Sequence, residues 1–346
     1  MEELPTKLNG SQNNSKKISK KILISLIIII ILIAVVGYFF VHKNGSSSLE
    51  SESKTSNQVT KKDYLNVLSD DFNPSRAGKP NPQIKQEKPA CCNHPYYHSV
   101  WRAFSNDGLS WQKEGKLFID HASVPDVLIK EDGSQIIYYV DGLYDTLMCK
   151  IVKDGQLSDG NCIIYNFSDE KAWDPEVVKV DNYYRLYFVS PPKLNGQDNE
   201  MGSKIKTAVS RDGITWLEEG IALDGYGVIV DPTVIKTTSE WKMIYASEEE
   251  GLVLANSSDG KSFKVEASVD KISVGKSPHL TKIENKYAAY YCKQGINVSL
   301  SDDLTTWLSE RIALAGEGNN VTCDPSVEKQ SDGKFIMYYK KQSVKK

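Results

Sequence analysis

From Asp174 to Ser190 the chain reads DPEVVKVDNYYRLYFVS: an Asp-Pro pair, a run with β-branched residues, a polar turn and a second run rich in tyrosine. Alternating β-branched and aromatic residues bounded by turn formers predict two antiparallel strands joined by a hairpin. The pattern returns along the chain. PDVLIKEDGSQIIYYVDG begins at Pro125, DPTVIKTTSEWKMIYAS at Asp231, SPHLTKIENKYAAYYCK at Ser277 and DPSVEKQSDGKFIMYYKK at Asp324. The leading positions Asp126, Asp174, Asp231, Ser277 and Asp324 are 48, 57, 46 and 47 residues apart. A period near fifty, enough for four short strands, predicts propeller blades.

A second motif alternates with the first. SNDGLSW starts at Ser105, SRDGITW at Ser210, SSDGKSF at Ser257 and SDDLTTW at Ser301, with a degenerate version around Lys153-Asp154-Gly155. Asp-Gly supplies a tight turn, the leading Ser can bond the turn backbone, and the aromatic is expected between blades. The motif therefore joins a blade's third strand to its fourth and is a fold signature without chemistry. The last copy of the first pattern ends at Lys346 after two strands, whereas the first turn motif precedes the first inner strand. Two N-terminal strands should thus complete the C-terminal blade. The expected fold class is all-β, a five-bladed β-propeller over 91–346 without open sheet edges at the seam.

Upstream the composition changes. Residues 1–21 are a basic head with a net charge of +3, and Ile22 to Val41 reads ILISLIIIIILIAVVGYFFV without a charge. Twenty apolar residues make a helix of roughly 30 Å, the thickness of a bilayer's hydrocarbon core. Lys16, Lys17, Lys20 and Lys21 flank its start, so the N-terminus is expected in the cytoplasm and the propeller outside. A cleaved signal peptide is the alternative, but Gly37-Tyr38-Phe39-Phe40 stands where a small-residue cleavage site belongs. Residues 42–90, rich in Ser and holding Pro74, Pro80, Pro82 and Pro89, read as a flexible linker. The formal net charge of -3 leaves -8 on 91–346. That balance excludes chain-wide disorder, and neither a basic stripe nor a phosphate-cradling glycine loop points to nucleic acid or nucleotides.

The innermost strands of a propeller surround its axis, so the leading positions should meet at one mouth. Four of the five are Asp126, Asp174, Asp231 and Asp324, and the fourth copy offers His279, two residues beyond Ser277. Carboxylates gathered this closely separate their pKa values, which suits them to acid and base roles. Asp before Pro also favours turn starts, so each can equally be an architectural device. Asp324 and His279 are expected to contact substrate, His279 alternatively an ion, water or a neighbouring blade. Trp173 is either a sugar-stacking platform or a core residue.

The inner strands together with the SxDGxxW turns resemble the five-bladed furanosidase-type glycoside hydrolases, namely the family 43 arabinanases and xylosidases and the invertase and levanase group. The resemblance covers roughly 91–346. It implies a base or nucleophile at Asp126, a modulator of the acid's pKa at Asp174 in WDPEV, and a general acid at Asp231 in VDPTV. The family places Glu where Asp231 stands, so Glu176 or the run Glu248-Glu249-Glu250 are substitutes, and a propeller that binds carbohydrate or mediates adhesion without turnover is the alternative. The resemblance also implies that no cofactor is required, that a structural Ca²⁺ held by water can sit in the channel near His279, and that the partner is carbohydrate. A monomer is expected.

Six cysteines occur at 91, 92, 149, 162, 292 and 323. An even count outside the cytoplasm makes disulfides the expectation. Cys149 and Cys162 flank a hairpin and form one favoured pair; Cys292 and Cys323 lie on adjacent blades, while Cys91 or Cys92 is an alternative partner for Cys323 at the seam. Adjacent cysteines in CCNHPYYH match no common zinc spacing, so no metal site is assigned there.

Overall fold

The computed structural model describes residues 88–89, 93–158, 164–167, 171–191, 202–225, 227–266 and 275–342. All of them belong to the compact unit Val59–Lys346. Among these residues no helix is long and apolar enough to cross a membrane. The expected head and transmembrane segment, and nearly all of the linker, lie outside the described residues.

The described strands form five sheets arranged as blades, each with an antiparallel four-stranded core. Strands β1 (His98–Ser105) and β2 (Gln112–Asp120) come first in the chain, behind a one-turn 3-10 helix at Pro95–Tyr97. Blade one holds β3 (Ala122–Ile129), β4 (Gln135–Asp141), β5 (Thr146–Lys153) and β6 (Gln156–Leu157). A short β7 (Ile164–Asn166) then pairs in parallel with the outer strand of blade two, which consists of β8 (Trp173–Val180), β9 (Tyr183–Ser190), β10 (Lys204–Ser210) and β11 (Thr215–Asp224). Blade three is β12 (Ile229–Lys236), β13 (Trp241–Ser247), β14 (Gly251–Ser257) and β15 (Lys264–Val265). Blade four is β16 (Lys276–Ile283), β17 (Lys286–Cys292), β18 (Gly295–Ser301) and β19 (Leu308–Ala315). The closing blade has the order β20 (Val321–Lys329), β21 (Phe335–Gln342), β1, β2. The C-terminal half-blade is therefore completed by the N-terminal strands, as the order of motifs predicts.

The turn motifs do what their composition suggests. In SNDGLSW, Ser105 Oγ accepts the Gly108 N–H at 2.9 Å, while the Asp107 carboxylate accepts the N–H groups of Leu109 and Ser110 at 2.8 Å each. The same bonds recur at Ser210/Asp212, Ser257/Asp259 and Ser301/Asp303. In blade one the degenerate turn is a two-residue hairpin, with Asp154 and Gly155 at φ 51° and 73° as a type I′ turn requires.

These turns also latch neighbouring blades. Tyr138 donates its hydroxyl to the Gly213 carbonyl (2.5 Å), Tyr187 to that of Gly260 (2.6 Å) and Tyr290 to that of Gly108. The motif aromatics Trp216, Phe263 and Trp111 meet these same tyrosines edge-on, with centroids 5.7–5.9 Å apart. Tyr338, facing the blade that lacks the motif, donates to Gln135 instead (2.6 Å). Where the turn glycine is replaced by Leu304, the latch position holds Ile244, and the two join one apolar cluster. Bond and apolar contact thus substitute for each other at one interface.

Cys292 at the end of β17 is bonded to Cys323 in β20, tying blade four to the closing blade. This overturns the alternative of Cys91 or Cys92 as partner of Cys323. Cys149 is also disulfide-bonded; Cys162, its expected partner, lies outside the described residues.

Candidate active site at the channel mouth

Every inner strand is interrupted at its proline. Ladder register slips between Ser123 and Asp126, Trp173 and Glu176, Val230 and Thr233, Lys276 and His279, and Cys323 and Ser326. Proline cannot donate to the ladder, and a bulge there re-aims the adjacent side chains. The residue before each proline takes a left-handed conformation: Val124 at φ 44°, Asp174 at 48°, Asp231 at 51°, Ser277 at 48° and Asp324 at 47°. Such backbone is costly for residues other than glycine and clusters at functional sites.

Two rings result, one pleat apart. The mouth ring consists of Val124, Asp174, Asp231, Ser277 and Asp324; the belt beneath it consists of Asp126, Glu176, Thr233, His279 and Ser326. This corrects the sequence alignment in one respect. Asp126 follows its proline whereas the other three aspartates precede theirs, so it is a belt residue and the first-blade mouth position is Val124.

The belt is buried and bonded from blade to blade. Asp126 accepts the Val177 N–H (2.6 Å) and the Ser326 hydroxyl (2.8 Å), and Ser326 Oγ accepts the Val127 N–H (3.0 Å). Glu176 accepts the Val234 N–H (2.7 Å) and the Thr233 hydroxyl (3.1 Å), and Thr233 Oγ1 accepts the Leu280 N–H (2.8 Å). His279 bonds the Val327 carbonyl through Nε2 at 3.0 Å and sets Nδ1 3.6 Å from Glu176. Both ring nitrogens face acceptors, the arrangement of an imidazolium. Burial opposes that charge, but Glu176 and Asp126 raise the His279 pKa to about 9. Burial, then repulsion from Glu176, pushes Asp126 up to about 8.

Ligand atoms of Asp126, Glu176 and His279 lie within 4.8 Å of one another. They do not fit a directly bound Ca²⁺. Calcium takes six to eight oxygen ligands, whereas here the carboxylates are engaged with backbone and hydroxyl donors and the imidazole is cationic.

The mouth ring carries the reactive potential. Asp174, Asp231 and Ser277 are partly exposed and Asp324 is buried. Asp174 accepts the Asp231 N–H at 3.3 Å, and Asp231 accepts the Ser277 hydroxyl at 2.8 Å. Burial and the neighbouring Asp231 raise the Asp174 pKa well above the carboxylate range. Burial and then Asp324 raise that of Asp231 to about 6. Lys340 in β21 reaches across to Asp324, Nζ to Oδ2 2.5 Å. Sequence reading missed this lysine, although it alternates with Tyr338 on an inner-blade strand, where a charge is unusual.

The axial cavity between the rings is about 30 Å³, room for about one water. Space for a larger ligand lies beside it. A groove of about 850 Å³ runs between blades three and four, lined by Asp231, Ser277, Lys276, Ser247, Glu248 and Glu250 among others. Glu248 and Glu250 thus share the groove with Asp231. Glu176, the other candidate substitute for the acid, is buried in the belt. Trp173 is partly exposed and packs against the apolar cluster shared by blades two and three, donating to the Asp145 carbonyl at 3.2 Å, with the Lys171 ammonium 5.8 Å over its ring.

A five-bladed propeller with a carboxylate-lined mouth is the class these features define. No protein-family model and no curated protein matches the chain. Among solved structures it is similar to a thermostable family-43 glycoside hydrolase, with 15% identity and a TM-score of 0.50, over 64% of this chain and 88% of that one. Two others are the α-L-arabinanase of Cellvibrio cellulosa (15% identity, TM-score 0.48, 63% and 86% covered) and a β-xylosidase/α-arabinofuranosidase from a compost metagenome (17%, 0.46, 63% and 84%). At these identities the likeness to the first is one of fold.

Proposed function

We propose that the protein is a membrane-anchored, extracytoplasmic glycoside hydrolase-like propeller that cleaves furanosides or related glycans with a pair of mouth carboxylates. The observation that carries the reading is the mouth ring itself: Asp174 and Asp231 stand on the bulges of neighbouring blades two and three, both are pushed above the usual carboxylate range, and Asp231 also lines a groove of sugar dimensions. Asp174, whose carboxyl burial and the neighbouring Asp231 push well above the usual range, is the proton donor to the leaving oxygen. Asp231, ionised above about pH 6, is the base or nucleophile. Trp173 offers a face for stacking a sugar ring, and Glu248 and Glu250 offer acceptors for its hydroxyls. The disulfide between Cys292 and Cys323 supports the extracytoplasmic placement, because such bonds persist in oxidising compartments.

One observation favours binding without turnover. Val124 occupies the first-blade mouth position, and Asp126 is held in the belt by two hydrogen bonds. The experiment is sugar release from arabinan, xylan and fructan panels by wild type and Asp231→Asn, with retention of the same polymers measured in parallel. Release that disappears in Asp231→Asn supports hydrolysis. Retention without release by the wild type selects the binding reading, and neither retention nor release overturns both.

A further inference from the structure

The groove beside the mouth has two unlike walls. The blade-three wall is the turn after β13, and it supports itself: Ser247 Oγ accepts the N–H groups of Glu249 (3.3 Å) and Glu250 (3.4 Å), while the Glu248 N–H donates to the Val228 carbonyl (3.1 Å). The blade-four wall is the entering chain Gly275-Lys276-Ser277. Ser277 is held at the ring by its hydroxyl on Asp231. Outside that point the wall is tied to its own blade at Cys292. Lys276 pairs with Cys292, and the ladder then skips to His279. Gly275 lies against the same strand end: a Cβ there would stand 2.4 Å from the Cys292 carbonyl oxygen and 2.7 Å from the Tyr291 ring. Cys292 is the last residue of β17, and strand ends ordinarily fray. This end is fastened to the closing blade twice, by the bond to Cys323 and by the Asp324 N–H, which donates to Cys292 Sγ at 3.1 Å. Away from the mouth the same two blades are joined independently, by the Tyr290 latch on Gly108 and by an apolar cluster that includes Tyr290, Val298, Val327 and Tyr339.

We infer that Cys292 is the positioning residue of the groove: its bond to Cys323 holds the blade-four wall in place and so sets how tightly the groove holds a glycan. The inference rests on the reading of the groove as the glycan site. Asp174 and Asp231 stand on blades two and three, outside the bonded pair of blades, so the bond bears on binding and leaves the chemical step alone. A wall that must be ordered anew at each binding event lowers affinity. It removes neither the proton donor nor the base.

The test compares wild type with Cys292→Ala/Cys323→Ala and with Gly275→Ala, which lifts the wall off Cys292 while the bond stays intact. In both variants hydrogen exchange over Gly275–Ser277 should speed up about tenfold or more, while the Leu280 amide, bonded to Thr233 in the belt of the same strand, keeps its protection. Retention of the polymer that wild type binds should weaken about tenfold; where sugar is released, KM rises by that factor and kcat stays within about twofold. A kcat that falls with KM unchanged reports loss of folded enzyme and overturns the inference, as does wall exchange that neither variant alters. A loosened wall with undiminished retention overturns it too. If the double-cysteine variant does not fold, Gly275→Ala decides alone. Faster wall exchange in a protein that neither retains nor releases polymer leaves the wall's dependence on Cys292 standing and removes only the glycan reading of the groove.

Discussion

Substituting Asp126 separates architecture from chemistry. Its two carboxylate oxygens accept the Val177 N–H and the Ser326 hydroxyl across two blade interfaces. In Asp126→Ala both donors are left in a buried belt, each at about 1–3 kcal/mol, so unfolding free energy should fall by about 2–6 kcal/mol. Asn keeps the shape and one acceptor, and near neutrality it replaces a protonated acid; Asp126→Asn should cost about 1 kcal/mol or less at pH 6. The pH dependence has a definite sign. Unfolded, the carboxyl titrates at its ordinary 3.8; folded, it holds its proton to about pH 8. Between these values the folded state binds the extra proton, so this group's stabilising contribution is full below pH 3.8 and is lost as pH rises towards 8. His279 adds a loss of the same sign between 6.5 and about 9. Asp126→Asn removes the first component, so its disadvantage should vanish or reverse by pH 9. Urea unfolding of the three proteins at pH 6 and pH 9 measures this, with sugar release assayed alongside. A cost below about 1 kcal/mol for Asp126→Ala would refute the belt assignment. So would Asp126→Asn of unchanged stability that had lost all release, since that places the residue in the chemistry.

Three further outcomes follow from the latches and the staple. Tyr187→Phe removes one hydroxyl bond to the Gly260 carbonyl and should cost about 1 kcal/mol in denaturant unfolding. Ile244→Tyr should destabilise the protein by about 1–3 kcal/mol against Leu304, and adding Leu304→Gly should recover part of that loss by recreating the latch found at the other turns. Simple additivity in that double-mutant cycle would reject the substitution rule. Replacing Cys292 and Cys323 together by Ser should lower unfolding free energy by about 2–4 kcal/mol in denaturant unfolding.

The five blades, their closure and the turn motifs were legible because each rests on local chemistry repeated along the chain. Asp-Gly needs a turn, alternating Tyr and β-branched residues need a pleated half-buried surface, and the order of motifs leaves one way to close the ring. Asp174, Asp231 and Asp324 were legible at the mouth for the same reason. Asp126 was aligned with them by residue type, but it sits two residues away in register: proline, which the ladder cannot bond, marks the bulge more reliably than the acid does. Lys340 was not legible because its meaning depends on a neighbour sixteen residues earlier in sequence, Asp324, that only the β20–β21 ladder and its bulge bring within reach.

That register explains why one residue type performs two tasks in the same channel. An aspartate before proline rides the bulge in a left-handed backbone, accepts few bonds, and has other carboxylates as neighbours. An aspartate after proline points into the belt, where N–H groups and hydroxyls of the adjoining blades saturate it. The first arrangement leaves protonation to be set by competition among charges, which is the requirement for acid/base work. The second spends the same functional group on holding blades together. Moving proline by two residues in blade one therefore exchanges a mouth carboxylate for a belt carboxylate. Val124→Asp tests the exchange directly: it adds a fourth acid to the mouth and should raise the pH at which Asp231 takes up its proton, about 6 in the wild type, by about one unit or more. The belt bonds of Asp126 should persist, read as unchanged protection of the Val177 amide from hydrogen exchange. Loss of that protection, or an unmoved ring titration, would show that proline does not set which acid faces the mouth.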